Sequence, residues 1–103
     1  MRLLSGKGCL GFVLFSWSLV CVAGDPFIGN QIYNEHCASC HGSSGKANIA
    51  GTPDFAGNPM LLAKPDLQLR DTIASGRNLM PAFVGILKEK QMMDVIAYIR
   101  TFH

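Results

Sequence analysis

The residues with the clearest chemistry are Cys37-Ala38-Ser39-Cys40-His41, two thiols one helical turn apart with an imidazole directly behind them. Thiols so spaced can exchange disulfides, supply half of a zinc site, or form thioethers to the two vinyl groups along one edge of a porphyrin. The adjacent histidine selects among these uses. Cys-x-x-Cys-His is the attachment pattern of c-type haem, in which that imidazole swings under the iron as the proximal ligand. A thioredoxin-like pair would open a helix after a strand within a βαβ pattern; here the motif closes a helical stretch, and the chain shows no alternating run of β-branched residues. A zinc site would need a second ligand pair, yet the only other histidines are His36 and His103.

The far side of a porphyrin needs a ligand from elsewhere in the chain. His36 directly precedes Cys37 and cannot reach across the ring, and His103 is the terminal residue. Of the remaining donors, Met92 fits the apolar face of a terminal helix and Met93 lies beside it. Met60 and Met80 both stand near loops. Met80 is favoured: it lies between Gly76 and Pro81-Ala82-Phe83, where proline stiffens a chain released from helix, and it is 39 residues beyond His41. Met60 is the alternative, with packing as its other use.

Helices must position these groups. Residues 27–39 read as a first helix leading into the motif, with Ile28, Ile32 and Tyr33 on its apolar side and Pro26 in its first turn. Residues 42–60 hold Gly42, Gly45, Gly51, Pro53, Gly57 and Pro59 and read as an irregular loop. A second helix is expected over 65–75, with Leu69 and Ile73 inward and Gly76 as its stop. The last is expected over 89–102, where Met92, Val95, Ile96 and Ile99 recur at helical spacing; Lys88 is a poor N-cap for it.

The 103 residues exclude a large two-domain enzyme. Residues 1–24 have the form of a secretory signal: Arg2 and Lys7, then an uncharged run from Gly8 to Gly24 ending in small residues. The cut is placed before Asp25, with Ala23 as a second candidate, and residues 25–103 form the domain. Cys21 follows Val20, where a lipoprotein signal would need a small residue. An uncleaved anchor is the rival, and would tether the protein to a membrane. Cys9 and Cys21 leave with the leader, so no multi-disulfide framework remains. The 79 residues left form a small core, which by itself seldom supplies more than about 3–5 kcal/mol, so a staple such as a disulfide, metal or cofactor is expected. They carry seven basic and seven acidic residues without a basic run, which excludes the footprint of nucleic-acid binding.

Residues 27–103 resemble the class I, mono-haem c-type cytochromes of the small bacterial periplasmic type. The features occur in order: Gly29-x-x-x-Tyr33, Cys37 to His41, Pro53, Met80-Pro81-Ala82-Phe83, and Asp94-Val95-Ile96-Ala97-Tyr98-Ile99-Arg100. The stretch from Gly51 to Arg77 is more loosely similar to haem subunits of respiratory complexes. The resemblance implies an all-α cytochrome c fold, three to four short helices wrapped around one covalently bound haem c. It implies that Pro53 accepts the proximal imidazole N–H through its carbonyl, and that Gly29 lets the terminal helix cross close by, under Tyr98. Asn78 could donate to the methionine sulfur, though a loop surface position describes it as well.

Cys37 and Cys40 are thus the expected covalent haem sites, and His41 and Met80 the axial ligands. Such ligation leaves no open iron position, so the expected function is that of a periplasmic one-electron carrier in a respiratory chain, not an enzyme. Leu61, Leu62, Ile73, Leu79, Phe83 and Val84 are candidates for the haem wall. A monomer is expected, meeting its donor and acceptor proteins transiently at the haem edge with modest electrostatic steering. The alternatives are a haem enzyme or gas sensor with a displaceable sixth ligand, and a thiol–disulfide oxidoreductase with free thiols.

Overall fold

The computed structural model describes residues 24–103. The leader read from the sequence, with Cys9 and Cys21, lies outside the described residues apart from Gly24. Five helical elements follow in order: α1 (Pro26–His36), α2 (Ala38–His41), α3 (Pro59–Leu62), α4 (Asp66–Ser75) and α5 (Glu89–Ile99). Among the described residues the only β pairings are two isolated bridges, Arg77 with Met80 and Val84 with Leu87. The class is all-α, as expected.

α1 starts where its sequence supplies a cap. The Asp25 carboxylate accepts the N–H groups of Phe27 (2.9 Å) and Ile28 (3.4 Å), and Pro26 fills a first-turn position that needs no donor. The helix buries Gly29, Ile32 and Tyr33, while Ile28 is exposed. This moves the inward face by one residue from the expected one. The cause is α5, which crosses so closely that a Cβ on residue 29 would collide with the Asp94 carbonyl and lie 3.0 Å from the Tyr98 Cβ. Gly24 makes the same approach to the Met93 carbonyl.

α5 buries Met92, Val95, Ile96 and Ile99, the four residues of its helical stripe. Asp94 is also buried, and it is satisfied: its Oδ1 accepts the Asp25 N–H at 2.8 Å and the Lys90 ammonium at 2.7 Å. The weak cap at Lys88 is relieved from inside the helix, where the Gln91 side chain accepts the Lys88 N–H at 2.8 Å. The helix ends at Ile99, and Thr101 and Phe102 close a turn back onto Tyr98 and Ile99.

Besides the last helix, which ends at Ile99 and not at Phe102, two boundaries differ from the sequence reading. The first helix is interrupted at Cys37 (φ −119°, ψ −32°), so the haem motif forms its own turn, α2. The loop after it ends in α3, which Asn58 caps by accepting the Leu61 N–H at 3.2 Å, with Pro59 in the first turn. α4 runs as expected and stops at Gly76, whose φ of 76° suits glycine.

Gly29→Ala should lower the stability of the folded protein by roughly 1–3 kcal/mol or more, since backbone on α5 must move to admit the methyl group. Thermal unfolding followed in the helical circular dichroism signal would measure this, with Gly57→Ala, which faces open space at φ 72°, as the backbone-strain control.

Candidate haem-attachment site

The break at Cys37 turns the motif off the end of α1. Cys37 accepts the N–H groups of Cys40 (3.2 Å) and His41 (2.9 Å), which places both half-buried thiols and the imidazole on one turn. Gly42, at φ 85°, ends that turn. Its carbonyl accepts the Tyr33 hydroxyl at 2.6 Å, tying the motif back to α1. Burial is the main cause that raises the Tyr33 phenol far above its ordinary value, so it stays a donor throughout the neutral range.

His41 is buried, with 8% of its surface exposed. Its Nδ1 lies 3.0 Å from the Pro53 carbonyl oxygen, and its ring stacks on Phe55 with centroids 4.4 Å apart and planes 19° from parallel. The loop delivers both partners. Asn48 N–H bonds to the Cys40 carbonyl (2.8 Å), Ala47 N–H to the Asp54 carboxylate (2.7 Å), and Phe55 N–H to the Gly45 carbonyl (2.8 Å). A carbonyl can only accept, so Nδ1 carries the proton and Nε2 keeps its lone pair. Burial lowers the His41 pKa, and the Pro53 carbonyl partly opposes this. The imidazole is therefore neutral at pH 7, the state that ligates a metal.

Burial, assisted by the neighbouring Cys40 thiolate, pushes the Cys37 thiol up to about 11. A dithiol oxidoreductase needs the opposite, a thiol depressed toward neutrality. The environment thus argues against thiol–disulfide chemistry at this pair.

Met80 sits on a separate loop. Arg77 and Met80 exchange backbone hydrogen bonds of 3.0 and 2.9 Å around Asn78, which adopts φ 55°. Phe83 and Val84 then donate to the carbonyls of Ile73 and Ala74 at 3.0 and 3.1 Å, docking the loop along α4. The Met80 side chain is half-buried against the core, whereas Met60 on α3 is 82% exposed. Met92 is core and Met93 packs beside it.

Of the wall candidates, Ile73 and Phe83 are buried, Leu61 and Leu62 are partly buried, and Leu79 and Val84 are exposed. The Asn78 side chain is exposed. His36 is exposed, though its ring meets the edge of Phe83 at 5.7 Å.

Two contributors escaped the sequence reading. Phe55 was passed over inside a loop of glycines and prolines; its signal was that it is the one aromatic residue of the stretch 42–60. Arg100, seen only as part of the terminal-helix pattern, reaches from the end of α5 to the carbonyls of Leu62 and Lys64 and to the Asp66 carboxylate. It holds the segment between α3 and α4 in place, and with it Leu61 and Leu62.

Two thiols, a neutral imidazole with a free Nε2, and a thioether on a docked loop match the donor set of a covalently attached, six-coordinate haem. Fold and donor set together define a class I c-type cytochrome. Residues 25–99 match the family described as "Cytochrome C oxidase, cbb3-type, subunit III", and the chain belongs to it. Cytochrome c6 of Nostoc sp. (strain PCC 7120) is 34% identical over 101 residues, which cover 87% of this chain and 84% of that protein. The cbb3-type cytochrome c oxidase subunit FixPc of Rhizobium leguminosarum bv. viciae is 30% identical over 93 residues, and there the match covers only 32% of the subunit. Among solved structures, cytochrome c6 from the diatom Phaeodactylum tricornutum superposes with a TM-score of 0.65 at 29% identity, over 76% of this chain and 93% of that one. The cofactor of this class is haem c.

Arg100→Ala should destabilise the haem-loaded protein by roughly 1.5–3 kcal/mol, because two backbone carbonyls lose a charged donor. Asp66→Asn, which weakens only the exposed ion pair, should cost less than about 1 kcal/mol. Guanidinium unfolding of the two variants would separate these contributions.

Proposed function

We propose that this chain is exported and serves as a one-electron carrier between redox proteins. Cys37 and Cys40 would hold the haem as thioethers, and His41 and Met80 would ligate its iron. The observation that carries this reading is the His41 imidazole: neutral, fixed through Nδ1 to Pro53, and bearing a free Nε2 one turn from two thiols. When bound, the haem iron supplies reversible exchange between Fe(II) and Fe(III).

The chain's own groups set the terms of that exchange. His41 and Met80 leave no position for a substrate, so the protein transfers electrons without transforming a molecule. The thioether of Met80 is a soft donor and favours the reduced state. Ile73, Phe83, Leu61 and Leu62 supply an apolar wall that disfavours the additional positive charge of the oxidised state. The hydrogen bond from Nδ1 to Pro53 raises the basicity of the imidazole and fixes its tautomer.

The formally balanced charge of residues 25–103 supports brief encounters with a donor and an acceptor, with little long-range steering. The protein acts as a monomer in the periplasm, delivered there by the leader of residues 1–24. No helix among the described residues is long and apolar enough to cross a membrane; a retained leader would make the same carrier a tethered one. The partial match to FixPc supports a second setting, in which this domain passes electrons within an oxidase assembly.

The test is the visible spectrum of the protein expressed with haem-maturation machinery. A low-spin c-type spectrum should show the weak far-red ferric band of a sulfur–iron bond. Met80→Ala should abolish that band, lower the potential and admit cyanide or carbon monoxide, whereas Met60→Ala should leave all three unchanged. A high-spin unmutated protein, indifferent to Met80→Ala, would instead establish the ligand-binding alternative.

A further inference from the structure

The aromatic side chains around His41 form one connected stack. Phe55 lies nearly parallel to the imidazole, with centroids 4.4 Å apart and planes 19° from parallel. Phe55 is also nearly parallel to Phe102, at 6.3 Å and 9°. Tyr33 tilts against both, with centroids 6.2 Å from Phe55 and 5.2 Å from Phe102, and Phe102 meets the edge of Tyr98 at 5.1 Å. Phe55 is 7% exposed and its N–H is bonded to the Gly45 carbonyl, so both its backbone and its ring are fixed.

A single hydrogen bond does not fix a ring plane. The contact between Nδ1 and the Pro53 carbonyl anchors one atom of the imidazole, about which the ring can still tilt and turn. A flat partner at stacking distance removes that freedom, since rotating the imidazole would drive its edge into the Phe55 face. An aliphatic side chain of similar volume would fill the space without defining a plane.

We infer that Phe55 is a positioning residue for the proximal ligand: its ring, packed among Phe102 and Tyr33, fixes the plane in which the His41 imidazole would meet the haem iron. This rests on the assignment of His41 as an iron ligand made above. The imidazole plane and the Met80 sulfur lone pair together split the iron d orbitals in direction, so with Met80 unchanged a turn of the imidazole alters the rhombicity of the ferric centre and the spread of the haem-methyl resonances. Overall stability does not report on that angle.

The experiment compares haem-loaded Phe55→Leu, Phe55→Met, Phe55→Tyr and Phe102→Leu with the unmutated protein, by electron paramagnetic resonance and proton NMR of the ferric form. Phe55→Leu and Phe55→Met should remain low-spin with both thioethers formed, yet reorder or compress the haem-methyl shifts and alter the g-anisotropy. Phe55→Tyr should retain the original pattern. Phe102→Leu, which leaves Phe55 against His41, should lower the melting temperature more than it moves the methyl shifts. If one of the Phe55 variants fails to accumulate, the other two still decide the matter. An unchanged methyl pattern in Phe55→Leu or Phe55→Met, or the same change in Phe55→Tyr, would overturn the inference. Failure of the ligation itself would be visible separately, as an unmutated protein that is not low-spin.

Discussion

The whole arrangement hangs on one close approach, the crossing of α1 over α5 at Gly29. Because residue 29 has no side chain, the Asp94 carbonyl and the Tyr98 Cβ come within contact distance of the α1 backbone. That proximity lets Ile32 and Tyr33 enter the core beside Val95, Ile96 and Ile99. It also sets the direction in which α1 delivers its last residue, His36, and so where the haem-binding turn begins. In a body of this size there is no second core to compensate if the crossing opens.

From that frame the site is assembled by short-range links, each made by a different segment. Tyr33 holds the end of α2 through Gly42, the loop returns Pro53 and Phe55 to His41, and α4 carries the Met80 loop along its side. Arg100 secures the remaining side by bonding to the segment that precedes α4. The result concentrates rigidity where an electron carrier needs it: a metal that changes charge without changing its ligand geometry has little to reorganise. The burial that keeps His41 neutral works to the same end, because a neutral imidazole is in the form that can bind a metal.

The sequence was most informative where the physics is local. The stripe of Met92, Val95, Ile96 and Ile99 required only a helical repeat, and all four are buried. Cys-x-x-Cys-His carries its chemistry in its spacing, and Met80 stood out because Pro81 follows it. The class and cofactor expected from these residues agree with the family match and the solved relatives. What escaped was decided at longer range. Nothing local marks Cys37 as a break, since Phe27 to Ser39 reads as one continuous helix. Ile28 looked inward on its apolar character alone, whereas the close crossing at Gly29, which the family resemblance implied, turns the buried face toward Gly29, Ile32 and Tyr33. The Asn58-Pro59 cap was overlooked among the glycines of the loop. Phe55 and Arg100 act across 14 and 38 residues of chain, onto His41 and Leu62, and no spacing rule connects such pairs.

The bond between the Asp25 N–H and Asp94 joins residues 69 positions apart, at the two ends of the folded body. A chain that emerges amino end first therefore exposes Cys37, Cys40 and His41 well before α5 exists to cover α1. During that interval the thiols lack the burial that raises Cys37 in the finished fold, and they are at their most reactive. Closure of the ends is thus a clasp that α5 completes late in synthesis, and until then the two thiols stand open to whatever reacts with them.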